Sequence, residues 1–175
     1  DGPDLSEAGH PRILLLEGEE QQIRELINSD ETWNKMHLAI IEKSTSFLGK
    51  PVLERVMTGR RLLSVSREAL KRIFYLSYSY RMTGDDRYLQ RADAEILAVS
   101  RFDDWNPSHF LDVGEMAAAV SLALDWAGEW IAGEVRLQAE DALVRMALKP
   151  GIAASDNNFF TGVRHNWNLV CNGGL

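Results

Sequence analysis

The chain predicts an all-α fold of antiparallel helical hairpins, and three observations carry that prediction. Apolar residues recur at three- and four-residue spacing from Glu17 onward, no run shows the period-two alternation of a half-buried strand, and Gly, Pro, Asp and Asn fall where hairpins must turn. The two clearest hairpins begin near Arg67 and Asp112, 45 residues apart, and a third is expected just after Asn158. Hairpins at such a period stack into a solenoid or close into a toroid.

Residues 1–16 carry Gly and Pro and end in Arg12-Ile13-Leu14-Leu15-Leu16, an apolar run expected to pack in extended form against the helical part of the chain. Ile23, Leu26 and Ile27 mark a first short helix. Ser29-Asp30 supplies cap chemistry for the next, where Trp33, Met36, Ile40, Ile41, Phe47 and Leu48 recur before Gly49-Lys50-Pro51 ends the run. Ser66 is the expected cap of a third helix, with Leu70, Ile73, Phe74, Ser77 and Tyr80 on one face and Leu76 and Tyr78 on the other. Apolar residues on two faces predict an inner helix.

Thr83-Gly84-Asp85 reads as a stop followed by a fresh cap, and Tyr88, Ala92, Ile96 and Val99 form the stripe of the partner helix. Phe102 to His109 is a loop of turn-formers, in which Pro107 pushes Asn106 out of helical geometry. Val113, Met116, Val120, Ala123, Leu124, Ala127 and Ile131 define a long apolar helix. Gly133 is expected to break it before Val135, Ala139, Ala142, Leu143 and Met146, and Lys149-Pro150-Gly151 to close that hairpin.

With 175 residues, 45% of them hydrophobic, the chain can bury one sizeable core. A formal charge of -7 argues against a general nucleic-acid partner, and no apolar run reaches the length of a membrane span. The single cysteine, Cys171, excludes an internal disulfide framework and fits a small buried residue. No His or Cys spacing matches a zinc site and no glycine-rich phosphate loop is present, so neither metal nor cofactor is expected.

Two polar and aromatic segments remain, Trp105-Asn106-Pro107-Ser108-His109 and Arg164-His165-Asn166-Trp167-Asn168, the second followed by Asn172. Each lies at or before the start of a long helix. In a ring of hairpins all inner helices start at one end, so the two segments can converge on a cleft. Trp105 and Trp167 would offer flat faces to sugar rings, and Asn106, His109, His165 and the asparagines directed hydrogen bonds to hydroxyls and carboxylates. The same tryptophans can equally fill core while the polar residues cap helices. Arg60, Arg61 and Arg164 would add charge for a carboxylate or sulfate, or be simply solvated. Asp112 and Glu115 can present a pair of carboxylates, as in a glycoside hydrolase, or complement a helix dipole.

Taken together, Gly9-His10-Pro11-Arg12-Ile13-Leu14-Leu15, Tyr80-Arg81-Met82-Thr83-Gly84-Asp85, the run Asp104 to Met116, Asp125-Trp126 and the run Asn166 to Gly174 resemble the N-terminal region of heparinase II/III-like polysaccharide lyases. The resemblance covers nearly the whole chain. It implies that residues 17–175 are part of an incomplete (α/α) toroid, whose remainder and a following β-sandwich domain would be partners within the same chain. An unpaired last hairpin would also offer an edge for a homodimer. It implies a periplasmic or secreted bacterial enzyme acting on uronic-acid-containing glycans of heparin, heparan sulfate, alginate or chondroitin type.

The reaction the resemblance implies is β-elimination: a base removes the C5 proton alpha to the uronate carboxylate and the C4 oxygen leaves. The intermediate resembles an enolate dianion, so the carboxylate's charge must be offset, which an Asn or His can do without metal. Asn166, Asn168 and Asn172 match that neutralising region. Tyr75, Tyr78, Tyr80 and Tyr88 match no catalytic position of the family, so the base is expected outside these 175 residues and the chain alone to be inactive. A helical-repeat interaction module and a toroidal glycoside hydrolase are the alternatives.

Overall fold

A computed structural model describes residues 9–156, 160–164 and 166–175. The fold is all-α, with helices α1 Glu19–Ser29, α2 Glu31–Leu48, α3 Leu63–Thr83, α4 Asp86–Ser100, α5 Phe110–Ala127, α6 Gly133–Ala142, α7 Lys149–Asp156 and α8 Asn166–Gly174. Among the described residues there is no strand beyond an isolated bridge between Thr58 and Arg61. None of the described helices is long and apolar enough to cross a membrane.

The helices pack in two layers. In one layer α3 lies against α5 and α5 against α8, while α4 backs α3 and α6 backs α4. α5 is apolar over most of its surface, from Phe110, Val113 and Met116 to Val120 and Ala123, so it is largely buried and centres the core, with Glu115, Ala118, Ser121 and Leu122 partly exposed. The expected α4 stripe of Tyr88, Ala92, Ile96 and Val99 is wholly buried. Gly84, at φ 69, ends α3 in the left-handed conformation that glycine takes without a steric penalty, and Asp85 caps α4 by accepting the Arg87 amide at 3.0 Å.

Close approach of α5 and α8 depends on missing side chains. A Cβ on Gly114 would sit 3.0 Å from the Val170 carbonyl oxygen, and one on Gly174 would run into the Gly114 carbonyl. α8 therefore lies flush on α5, placing Cys171 in the core, where burial pushes its thiol up to about 11.

Several boundaries differ from those expected of the sequence. Ser66 lies inside α3, its hydroxyl turned back to the Leu62 carbonyl, because the helix starts four residues earlier on an acceptor borrowed from α5, the Asp112 carboxylate. α5 ends at Ala127, and Gly133 opens α6 rather than breaking a longer helix. Lys149-Pro150-Gly151 closes nothing, since Leu143–Leu148 is a π-helical turn that carries α6 into α7. Its wider hydrogen bonding, with the Lys149 amide reaching the Val144 carbonyl, loosens the helix where a proline would otherwise clash with the preceding turn. The third hairpin's expected start at Asn158 lies outside the described residues; the described helix starts at Asn166.

The N-terminal run is a bent strap, not an extended one. Leu14 has φ 62 and the Leu15 amide folds back to the Ile13 carbonyl at 2.7 Å. Asp125 accepts the Arg12 amide at 2.9 Å, the Ile13 amide at 2.8 Å and the His10 Nδ1 at 2.7 Å, while the Trp126 indole donates to the Ile13 carbonyl at 2.6 Å. Arg81 completes the fastening by donating to the Leu15 carbonyl at 2.6 Å and pairing with Glu20.

Candidate functional site

Three contacts fix the relative direction of α3, α5 and α8. Leu62, just before α3, donates to Asp112 in the first turn of α5, and Phe74 meets Trp126 near the far end of α5 at 4.7 Å between ring centroids. His109, just before α5, meets Trp167 in the first turn of α8. The three helices are parallel and start at one rim, so the two segments singled out from the sequence do come together.

At that rim Asp112 is the hub. Its side chain is 0% exposed, and it accepts from the Leu62 amide at 2.6 Å, the Asn106 amide group at 2.7 Å and the His109 Nδ1 at 2.7 Å. Three donors on one carboxylate offset the cost of burying its charge. Asn106 is shaped to serve it. The residue sits at φ 60, its amide nitrogen also donates to the Arg60 carbonyl at 2.9 Å, its carbonyl accepts the Ser108 hydroxyl at 2.8 Å, and its backbone amide is held by Asp104 at 2.7 Å. Asp104 is held in turn by Arg55 at 2.5 Å, which with the Asn106 amide keeps its carboxyl below the usual range against the raising effect of burial.

The His109 ring is the most exposed of the side chains that donate to Asp112, with 14% of its side chain exposed. Trp167 packs against it edge to face, at 5.1 Å between centroids and 84° between planes. Among the described residues no hydrogen bond is made by its Nε2, the nitrogen turned away from Asp112. Arg60, Arg61, Arg164 and Asn166 are exposed on the same segments. One and a half turns into α5, Glu115 is met by Arg67 of α3 at 3.2 Å.

Several expected roles are corrected. Trp105 is fully buried, with its indole donating to the Val99 carbonyl at 2.9 Å, so it is core and has no face to offer a sugar. Asn106 is buried and committed to Asp112 and Arg60, which makes it a scaffold residue. Asn168 spends both amide hydrogens on the carbonyls of Phe160, at 3.3 Å, and Thr161, at 2.7 Å, and so fastens the turn before α8. Asp112 and Glu115 do not form a hydrolase pair, since one is sealed in the rim network and the other is paired with Arg67.

Asn172 is exposed and gives one amide hydrogen to the Asn168 carbonyl at 2.7 Å, and Trp167 is partly buried against the core. His165 lies outside the described residues. No group of His, Cys, Asp and Glu suited to a metal ion occurs among the described residues. That Asp112 orients His109 was not expected from the sequence. The signal was present in the His-x-x-Asp spacing, which puts the two side chains on one side of a first helical turn. No family model matches the chain, and none of the curated proteins matches it either.

Proposed function

We propose that this chain is the N-terminal part of a polysaccharide lyase that cleaves uronic-acid-containing glycans by β-elimination, and that the common rim of α3, α5 and α8 is its sugar-binding edge. The observation that carries the reading is the meeting of His109 and Trp167, which joins the two segments of the family resemblance across more than fifty residues of sequence. Around them Arg60, Arg61 and Arg164 supply guanidinium groups suited to carboxylates and sulfates, on a chain whose net charge is otherwise negative. Of the three asparagines, Asn166 and Asn172 keep amide hydrogens for a uronate carboxylate, and Asn168 does not. The base, the rest of the toroid and a β-sandwich belong to the complete protein in this proposal, and the setting is periplasmic or secreted.

The test is to incubate the complete protein with heparan sulfate, chondroitin, alginate and hyaluronan and follow the ultraviolet absorbance of an unsaturated uronate. Absorbing products are expected, and Asn172→Ala should lower turnover about 100-fold, the scale of losing one oxyanion donor. Saturated reducing ends would replace elimination by hydrolysis. A second reading, a helical interaction module, is favoured by an apolar trough of about 420 Å³ lined by Leu70, Phe74, Tyr75 and Leu122. Absence of binding to every glycan tested would move the function there.

A further inference from the structure

Through the π-turn, α6 and α7 make one continuous rod from Gly133 to Asp156. One face of the rod is sunk in the fold through Val135, Ala139, Ala142 and Met146. The opposite face shows Leu137, Val144, Leu148 and Ile152, from 41% exposed at Leu148 to 68% at Leu137. A single exposed leucine is ordinary, but four large aliphatic side chains in line along one helix mark a surface that another helix covers. In a straight α-helix each four-residue step turns about 40° past a full circle, so Val144 and Leu148 would fall out of line. The wider π-turn over Leu143–Leu148 takes up that rotation.

The charges beside this stripe say what covers it. Asp141 and Lys149 flank it on one side, two turns apart, and both are exposed. Arg145 stands between them but turns to the body of the fold, donating to the Ser100 and Asp103 carbonyls at 3.4 Å. It reaches Asp141 only at 3.4 Å, which leaves that side chain 73% exposed. Lys149 has no ion pair among the described residues. Arg145 is the midpoint between Asp141 and Lys149, and the midpoint between Leu137 and Ile152 falls between Val144 and Arg145. Stripe and charges are therefore symmetric about one point, with acid exchanged for base.

We propose that the protein associates with a second copy of itself, the α6–α7 rod of one protomer lying antiparallel on that of its partner about a two-fold axis at Arg145. Leu137 then lies over the partner's Ile152, and Asp141 beside the partner's Lys149, twice over by symmetry. A parallel pairing would set acid on acid and base on base. A helix of uniform charge would match one of the two groups and be repelled by the other, so a copy of this chain fits the surface better than an unrelated acidic or basic partner. None of these residues lies at the rim or on α8, and the inference does not depend on the glycan reading.

The stripe runs about 22 Å at the helical rise, so one pair of rods makes an interface at the low end of the stable range. A reversible dimer with a Kd of about 10 µM is expected.

The experiment is sedimentation of the complete protein from about 1 to 100 µM, a range that brackets such a Kd. Wild type should pass from monomer to dimer across it. Ile152→Glu places a carboxylate in the stripe at an exposed position and should leave a folded monomer throughout, with folding checked by circular dichroism. D141K and K149E should each weaken the dimer about tenfold, because each sets like charges against each other twice. Mixed in equal amounts, the two variants should recover wild-type affinity as a dimer of one of each, since both cross-pairs are then opposite in sign. That recovery cannot come from misfolding or from a different partner.

Wild type that stays monomeric at the highest concentration overturns the proposal, as does a dimer that Ile152→Glu leaves intact. A dimer lost in Ile152→Glu but indifferent to D141K and K149E overturns the antiparallel register. Failure of the mixed variants to associate does the same.

Discussion

α5 carries a buried aspartate at each end, and the two make opposite uses of the same chemistry. Asp112 in the first turn and Asp125 in the last are 0% and 6% exposed; Asp112 accepts one backbone amide and Asp125 two, and each accepts a histidine Nδ1 at 2.7 Å. Asp112 gathers donors that belong to the body of the fold, and the histidine it holds is nearly enclosed. Asp125 gathers amides from a strap, and its histidine is 49% exposed. A negative charge suits the start of a helix and opposes the dipole at its end, so Asp125 needs the strap's amides where Asp112 has the helix itself. One carboxylate builds the rim and the other closes a seam.

The largest effect should come from Asp112→Ala. It leaves the Leu62 amide, the Asn106 amide group and His109 without their acceptor in a dry interior, a loss of about 3–5 kcal/mol for breaking a buried charged network. Chemical denaturation measures it. A loss below about 1 kcal/mol, the worth of a single ordinary hydrogen bond, would mean that the hub is not integral to the core. Asp125→Ala should cost less, about 1–3 kcal/mol for unsatisfied amides. Its effect should also be local: hydrogen exchange should speed up over residues 9–16 while α5 and α8 stay protected. Equal exchange in both regions would erase the distinction between rim and seam.

Acid offers a gentler way to open the seam. Burial raises the Asp125 carboxyl, but the His10 ring and the Arg12 and Ile13 amides outweigh it and hold the group below the ordinary 3.8. Stability from a depressed carboxyl is fully present above the unfolded value and is lost as pH falls through the folded one. The strap should therefore stay fastened at pH 3.8 and release below it. Near-ultraviolet circular dichroism reports this through Trp126, whose indole donates to the Ile13 carbonyl. Release while pH is still well above 3.8 would contradict the direction of the shift.

Much of the fold was legible because it is written in local periodicity. The α4 stripe, the Gly84 stop and the Asp85 and Asp30 caps each follow from residues within one helical turn, and the structure has them all. What escaped depends on partners far away in sequence. α3 starts at Leu63, not at Ser66, because an aspartate fifty residues on accepts the Leu62 amide. Pro150 failed to stop its helix because a π-turn, invisible to composition, precedes it. The site was half legible for the same reason. The meeting of the two polar segments followed from helices starting at one end, but roles within them depended on burial: Trp105 and Trp167 look alike in the sequence, and one faces only core while the other backs the histidine.

The smallest effect separates two ways in which the seam can be held. If the fastening lies in the strap's backbone amides, His10→Ala should cost little, about 0–1 kcal/mol as for other exposed ionic contacts, and the loss should shrink further in high salt. Half of the His10 side chain is in water, which weakens its attraction for Asp125, whereas the Arg12 and Ile13 amides approach the carboxylate from within the strap at 2.9 and 2.8 Å. A His10→Ala loss as large as that of Asp125→Ala, measured by the same denaturation, would place the fastening in the imidazole instead. Both ends of α5 would then be histidine–carboxylate devices.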